Sequence, residues 1–171
     1  MTMNDEELFE HLQELVVELP AMQEKGAVLA RARAAAEVAK RVHYYEGQQN
    51  ELNGILSEMA EHERQRAIAI EQGDRDREEA QRALILTCGT QRGIRKGAAD
   101  AAKRELDQAL SDGGFASCEE ARAAELSEPD LASLSAEIEA YQADYAETLA
   151  ACERIEAVEA ASVDAEGVEE A

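Results

Sequence analysis

The residues that could carry chemistry in this chain fall in few places, and the most suggestive is Thr87-Cys-Gly-Thr-Gln-Arg-Gly-Ile-Arg-Lys-Gly97. Glycines beside a lysine invite a phosphate-binding reading. The spacing does not support it: a P-loop needs GxxxxGK followed by Ser or Thr, so that ammonium and hydroxyl reach phosphates and magnesium together. Here Lys96 is followed by Gly97 and Ala98, and no apolar strand precedes the loop. The same region holds the main positive cluster, Arg92, Arg95, Lys96, Lys103 and Arg104, with one acid among them. No aromatic side chain is interleaved to stack on bases, so this patch implies at most a weak contact to a DNA backbone, and a solvated basic surface is the plainer reading.

His11, His43 and His62 have no His or Cys at i+3 or i+4 to complete a metal face, and Cys88, Cys118 and Cys152 are far apart with no CxxC. No metal site and no disulfide framework is expected, and three unpaired cysteines fit a reducing cytoplasm. Cys152 lies on an apolar stripe, where a thiol serves as a small core residue. Carboxylates are so numerous that pairs such as Glu119 and Glu120, or Glu137 and Glu139, arise by chance. Tyr141 and Tyr145 are one helical turn apart, but their phase is that of the stripe and core packing is the simpler role. No nucleophile has a base beside it. No catalytic, cofactor-binding or metal-ligating residue is assigned, and no autonomous activity is expected.

The elements that would position these residues are helices. Apolar residues make up 45% of the chain, but much of that is alanine; aromatics are only 4%, with no tryptophan and two prolines. A thick globular core is therefore excluded, and an all-α fold of extended coiled-coil helices fits. The net charge of −21 is uneven: residues 105–171 hold 19 acidic and 2 basic side chains. Such a surface repels nucleic acid on average. The acidic N-terminus lacks the pattern of an export signal, and no apolar run is long enough to span a bilayer; a membrane role is not expected.

A first stripe, Leu8, Leu12, Leu15, Leu19 and Met22, alternates steps of four and three. Asn4 is a candidate N-cap, with Asp5, Glu6 and Glu7 in the first turn, and Pro20 predicts a kink or short break. A second stripe follows in a shifted phase: Val38, Val42, Tyr45, Leu52, Leu56, Met59 and Ile70, with Gln49, Glu63 and Arg66 at some of its positions. Three glycines then make residues 87–97 the predicted reversal, since each costs a helix interior about 1 kcal/mol relative to alanine. This divides the chain into a first arm over 4–86, a Gly-rich basic turn over 87–97, a returning arm over 98–160, and an acidic tail, expected to be disordered, over 161–171. Within the returning arm, breaks are predicted near 112–117, at Gly113-Gly114 with Ser117 and Glu120 as a capping box, and near 127, where Ser127, Pro129 and Asp130 open another helix. The last helix has the most regular heptad: Leu131, Leu134, Ile138, Tyr141, Tyr145, Thr148, Cys152 and Ile155. It needs a cover, either an antiparallel hairpin with the first arm or a second helix from another chain.

The segment from Gly114 to Ala157 resembles the returning coiled-coil arm of SbcC-type exonuclease subunits, relatives of the structural-maintenance-of-chromosomes (SMC) ATPases. Gly114, Phe115, Ser117, Glu119, Glu120, Ala121 and Arg122 carry the turn of the resemblance, and Leu131, Leu134, Glu137, Ile138, Ala140 and Tyr141 its helix. The resemblance implies a structural segment of an ATP-dependent exonuclease in DNA repair and recombination, working with an Mre11-like nuclease subunit. The arm would space and tether, and the ATPase would lie in head regions of a longer parent. Walker A, ABC-type signature, Walker B and the CxxC zinc hook are all missing, so the chain reads as a fragment, a truncated homologue or a shortened arm. The alternative is an independent coiled-coil adaptor that binds a helical partner or itself.

Overall fold

The computed structural model describes residues 4–166, with side chains up to Val158. The fold is all-α. Its elements are α1 (Asp5–Gln72), α2 (Arg75–Asp112), α3 (Cys118–Ala123) and α4 (Glu128–Glu166), and no strand occurs among the described residues. They form two compact units: residues 34–125 make one, and residues up to Arg33 with those from Leu126 onward make the other.

The 34–125 unit is a helical hairpin, and its reversal is set by two residues. Gly73 takes φ +70°, a region closed to most side chains. Its N–H donates to the Ile70 carbonyl at 3.1 Å, and that of Asp74 to the Ala69 carbonyl at 2.9 Å. That bond pair is a Schellman stop, which satisfies carbonyls at the end of α1. Asp74 then turns its side chain forward as the N-cap of α2, accepting from the Arg77 N–H at 3.1 Å. The reversal therefore lies at 73–74 and not at 87–97, which α2 incorporates whole. Glycines at 89, 93 and 97 weaken that helix, but breaking it also requires a residue in the left-handed region and a cap beyond it. The 87–97 stretch has neither.

The same device ends α2. Gly114, at φ +66°, donates to the Ser111 carbonyl, and the N–H of Phe115 to the Leu110 carbonyl at 2.9 Å. The residue that completes the motif is here a large aromatic, and it folds back onto the hairpin. Phe115 is 6% exposed and sits among Ala35, Val38, Leu106 and Ala121, with Val42, Tyr45 and Leu110 against them. Ser117 caps α3, accepting from the Glu120 N–H at 3.2 Å, while the Glu120 carboxylate accepts from the Ala116 N–H at 2.8 Å. α3 is thereby laid against the hairpin through Ala121. Nearer the turn the interface is mostly small, with Ala69, Cys88, Ala99 and Ala102 buried. Arg41–Glu105, Arg95–Glu51 and Arg66–Glu78 ion pairs flank it.

The second stripe holds through Val38, Val42, Tyr45, Leu52 and Met59, all at least half-buried. Leu56, Glu63 and Ile70 are exposed, and Ile55, His62 and Ala69 take the inward places. A step of three instead of four after Leu52 turns the stripe, and which neighbour faces inward is set by the opposing helix, since His62 meets Gln81 at 2.8 Å.

In the other unit, residues 5–33 of α1 and α4 run antiparallel. Cys152 meets Leu8, His11 meets Asp144, Tyr141 meets Leu15 and Lys25 meets Glu137. Asn4 and Glu7 form a reciprocal cap, each side chain accepting from the other's N–H at 2.8 and 3.0 Å. Ser127 accepts from the Asp130 N–H at 3.2 Å at the start of α4. Leu15 and Leu29 are buried on α1, and on α4 so are Ile138, Tyr141, Thr148 and Cys152, which step along the predicted heptad. Pro20 lies inside an unbroken α1. Its ring is exposed, so the carbonyl it leaves without a helical donor, that of Val16, can meet water, and the stripe continues on both sides. α4 runs to Glu166, into the region expected to be disordered; residues 167–171 lie outside the described residues.

Because the two left-handed glycines set the turns, Gly73→Ala and Gly114→Ala are each expected to destabilise by about 1–2 kcal/mol in urea melts followed by circular dichroism. Gly93→Ala, whose new methyl would meet nothing within 4 Å, should stabilise by up to about 1 kcal/mol. Equal effects at 73, 93 and 114 would show that the turns are not set by these conformations.

Candidate functional site

All five cations of the predicted basic patch lie along α2. Three are held by carboxylates: Arg95 by Glu51, Lys96 by Asp100 at 2.6 Å and Lys103 by Asp107 at 3.0 Å. The Asp107 contact holds the Lys103 ammonium above its usual pKa. Arg104 lines an open cleft with Arg41 and the carboxylates of Glu37, Glu105 and Asp112, where the acids outnumber the cations. Arg92 is in no ion pair among the described residues. Because Gly89, Gly93 and Lys96 are on a continuous helix, the backbone N–H groups that a phosphate loop would present are already bonded within α2.

The histidines are apart from one another. His62 faces Gln81, His43 is exposed, and His11 sits 3.1 Å from both oxygens of Asp144 and 3.8 Å from Glu14. The Asp144 hydrogen bond raises the His11 pKa above its ordinary value, against a smaller opposing effect of desolvation. Among the described residues no group of three or more His, Cys, Asp or Glu is placed to hold a metal ion. Cys88 and Cys152 are buried, and burial pushes the Cys152 thiol up, away from the reactive thiolate. Glu119, beside the Ser117 cap, is shifted down, first by the hydrogen bond to its own backbone. Glu137 is bound to Lys25 and Glu139 accepts from Ser135, so each carboxylate of that pair is engaged separately. No helix is long and apolar enough to cross a membrane among the described residues.

Tyr141 does more than fill the stripe. Only 8% exposed, it donates its hydroxyl to the Leu15 carbonyl at 2.6 Å and stacks with Tyr145 at a ring separation of 6.1 Å. Desolvation raises its pKa, which keeps the donor proton in place. The phase of the heptad gives the burial, but the carbonyl partner depends on how α4 slides against α1 and has no sequence signal. The His11–Asp144 pair is hidden for the same reason.

Sequence reasoning also missed a groove of about 500 Å³ along one side of the α1–α4 pair. Phe9, Leu12, Val16, Val17 and Leu149 line it, and Glu153 and Glu156 edge it. The available signal was three apolar residues, Phe9, Val16 and Val17, beside the leucine stripe and not on it.

Tyr141→Phe is expected to lower stability by about 1 kcal/mol, since the Leu15 carbonyl keeps its helical donor and only the added bond is lost. No change in the urea midpoint would show that this bond contributes nothing. For His11 the folded pKa is raised, so its stabilisation is fully present below about pH 6.5 and disappears as pH rises through the folded value. His11→Gln should therefore cost up to about 1 kcal/mol at pH 5.5, the scale of a partly exposed pair, and almost nothing at pH 9. A cost that is the same at both pH values, read from paired thermal melts, would contradict the pairing.

Comparison with protein-family models, with curated proteins and with solved structures finds no match to this chain.

Proposed function

We propose that the chain is a coiled-coil segment of an SbcC-like subunit of an ATP-dependent exonuclease, acting in a reducing cytoplasm in DNA repair and recombination. One observation carries the reading: five of the residues that bear the resemblance take part in the turns and the packing. Gly114 adopts the left-handed turn, Phe115 and Ala121 close the hairpin core, and Ile138 and Tyr141 are buried under α1. The other matched positions are half-buried or, at Glu119, Arg122, Glu137 and Ala140, exposed.

In this reading the segment spaces and tethers. ATP hydrolysis belongs to head regions of a parent protein and strand cleavage to an Mre11-like nuclease subunit. The net charge of −21 and the carboxylate-bound cations of α2 leave DNA contact indirect or weak. A second reading, an independent adaptor for a helical partner, is favoured by the apolar groove beside Val16 and Val17.

The test is a chimera in which this segment replaces the corresponding arm of a head-bearing SbcC-type protein, assayed with its nuclease subunit on linear duplex DNA. ATP-dependent degradation should persist, and should fail when Phe115, Ile138 and Tyr141 are all changed to Ser. A folded chimera with active heads and no degradation would overturn the arm reading. So would ATP hydrolysis by this chain alone above background.

A further inference from the structure

Two exposed surfaces on this chain are complementary to each other in charge, in apolar content and in length. The first is the groove of the α1–α4 unit. Val16 is 48% and Val17 79% exposed, high values for aliphatic side chains, and the groove's edges are carboxylates. The two segments that form it, residues 5–18 and 144–156, carry six and four acids and a single arginine. From Phe9 to Val16 and from Leu149 to Glu156 is seven residues, about 10 Å of helix on each wall.

The second surface is on α2. Residues 82–97 hold no acid in a chain whose net charge is −21; of their four cations Arg95 and Lys96 are already paired with Glu51 and Asp100, and Arg82 and Arg92 are in no ion pair among the described residues. Leu86 and Ile94 are 67% and 68% exposed. Leu86, Thr90, Gly93 and Gly97 follow steps of four, three and four, so they share one outward face, with Ile94 at its edge and Arg82 one turn before Leu86. Leu86 and Ile94 stand about 12 Å apart along the axis, matching the groove. Between them the glycines leave the ridge low, and a Cβ at Gly89, Gly93 or Gly97 would meet no atom of this chain within 4 Å. Nothing inside the chain repays the helix propensity these residues give up.

We infer that the 82–97 face of α2 in one copy of this chain docks into the acidic groove between α1 and α4 of a second copy. Leu86 and Ile94 lie against Phe9, Val16, Val17 and Leu149, and Arg82 and Arg92, the cations of the 82–97 segment outside any ion pair among the described residues, meet the carboxylates along the edge. The contact is heterologous. Pairing groove with groove would bring ten acids against ten, and pairing ridge with ridge would set Arg82 and Arg92 against their own copies, so like charges disfavour both symmetric arrangements. The inference does not depend on the exonuclease reading; it uses only the two surfaces and their charges.

Sedimentation equilibrium of the whole chain at low salt, from about 10 to 500 μM, tests it. The average mass is expected to rise above the 18.6 kDa of one chain, and to fall back as salt screens the charges at about 0.5 M. Val17→Lys closes the groove and Ile94→Glu spoils the ridge. Both positions are exposed, so the helical circular dichroism should be unchanged, and each variant alone should raise the dissociation constant at least about tenfold. An equimolar mixture of the two should associate again, because one supplies an intact ridge and the other an intact groove. A wild-type chain that stays monomeric throughout, a single variant that associates as strongly as wild type, or a mixture that fails to recover would each overturn the inference.

Discussion

Every part of this structure answers to the fact that a helix with an apolar stripe one or two side chains wide cannot hide that stripe by itself. α1 has two such stripes along its 68 residues, in different phases, and they find different covers: α4 for the first, α2 with α3 for the second. Propensity alone would not hold these helices in water. The pairing must therefore be registered by something sharper than a continuous stripe, and that role falls to the chain reversals. At Gly73–Asp74 and at Gly114–Phe115 one pair of backbone bonds ends a helix in an identical way. What differs is the following residue. Asp74 starts the next helix at once, whereas Phe115 plugs the hairpin core and delays α3 by a short connection.

This contrast also explains how the sequence could be read and where it misled. Gly113-Gly114, Ser117 with Glu120, and Ser127 with Asp130 were legible because a stop, a gap and a cap follow one another in a recognisable order. Gly73-Asp74 compresses stop and cap into two adjacent residues and looks weaker than the three glycines at 89, 93 and 97. Counting glycines weighs what each one costs, but a reversal depends on whether the backbone groups left over can be satisfied. The heptad of α4 was legible because its large residues are regularly spaced. The α1 stripe beyond Leu52 was less so, since Ile55 and Leu56, or Ala69 and Ile70, are adjacent apolar choices and only the opposing helix selects between them.

The candidate site shows a different limit. Spacing shows that no Ser or Thr follows Lys96, because that requirement is local in sequence. It could not show that Arg95 meets Glu51 or that Tyr141 meets the Leu15 carbonyl, since those contacts link segments 44 and 126 residues apart. In a chain with 38 acids and 17 cations, nearly every lysine and arginine has several carboxylates within reach of some arrangement. The pairs actually formed follow from register.

Electrostatics then acts on this scaffold mainly by exclusion. With carboxylates in such excess, an ion pair on a half-exposed surface adds little, and the unpaired acids repel one another along the helices. Against that excess the acid-free interval 82–97 is exceptional within the chain. A basic, glycine-bearing face exposing Leu86 and Ile94 on α2 is costly in both helix propensity and exposed apolar area. Both costs are incurred on the outer face of the hairpin, where the fold of the single chain makes no use of them, so their explanation has to be sought in what that face touches.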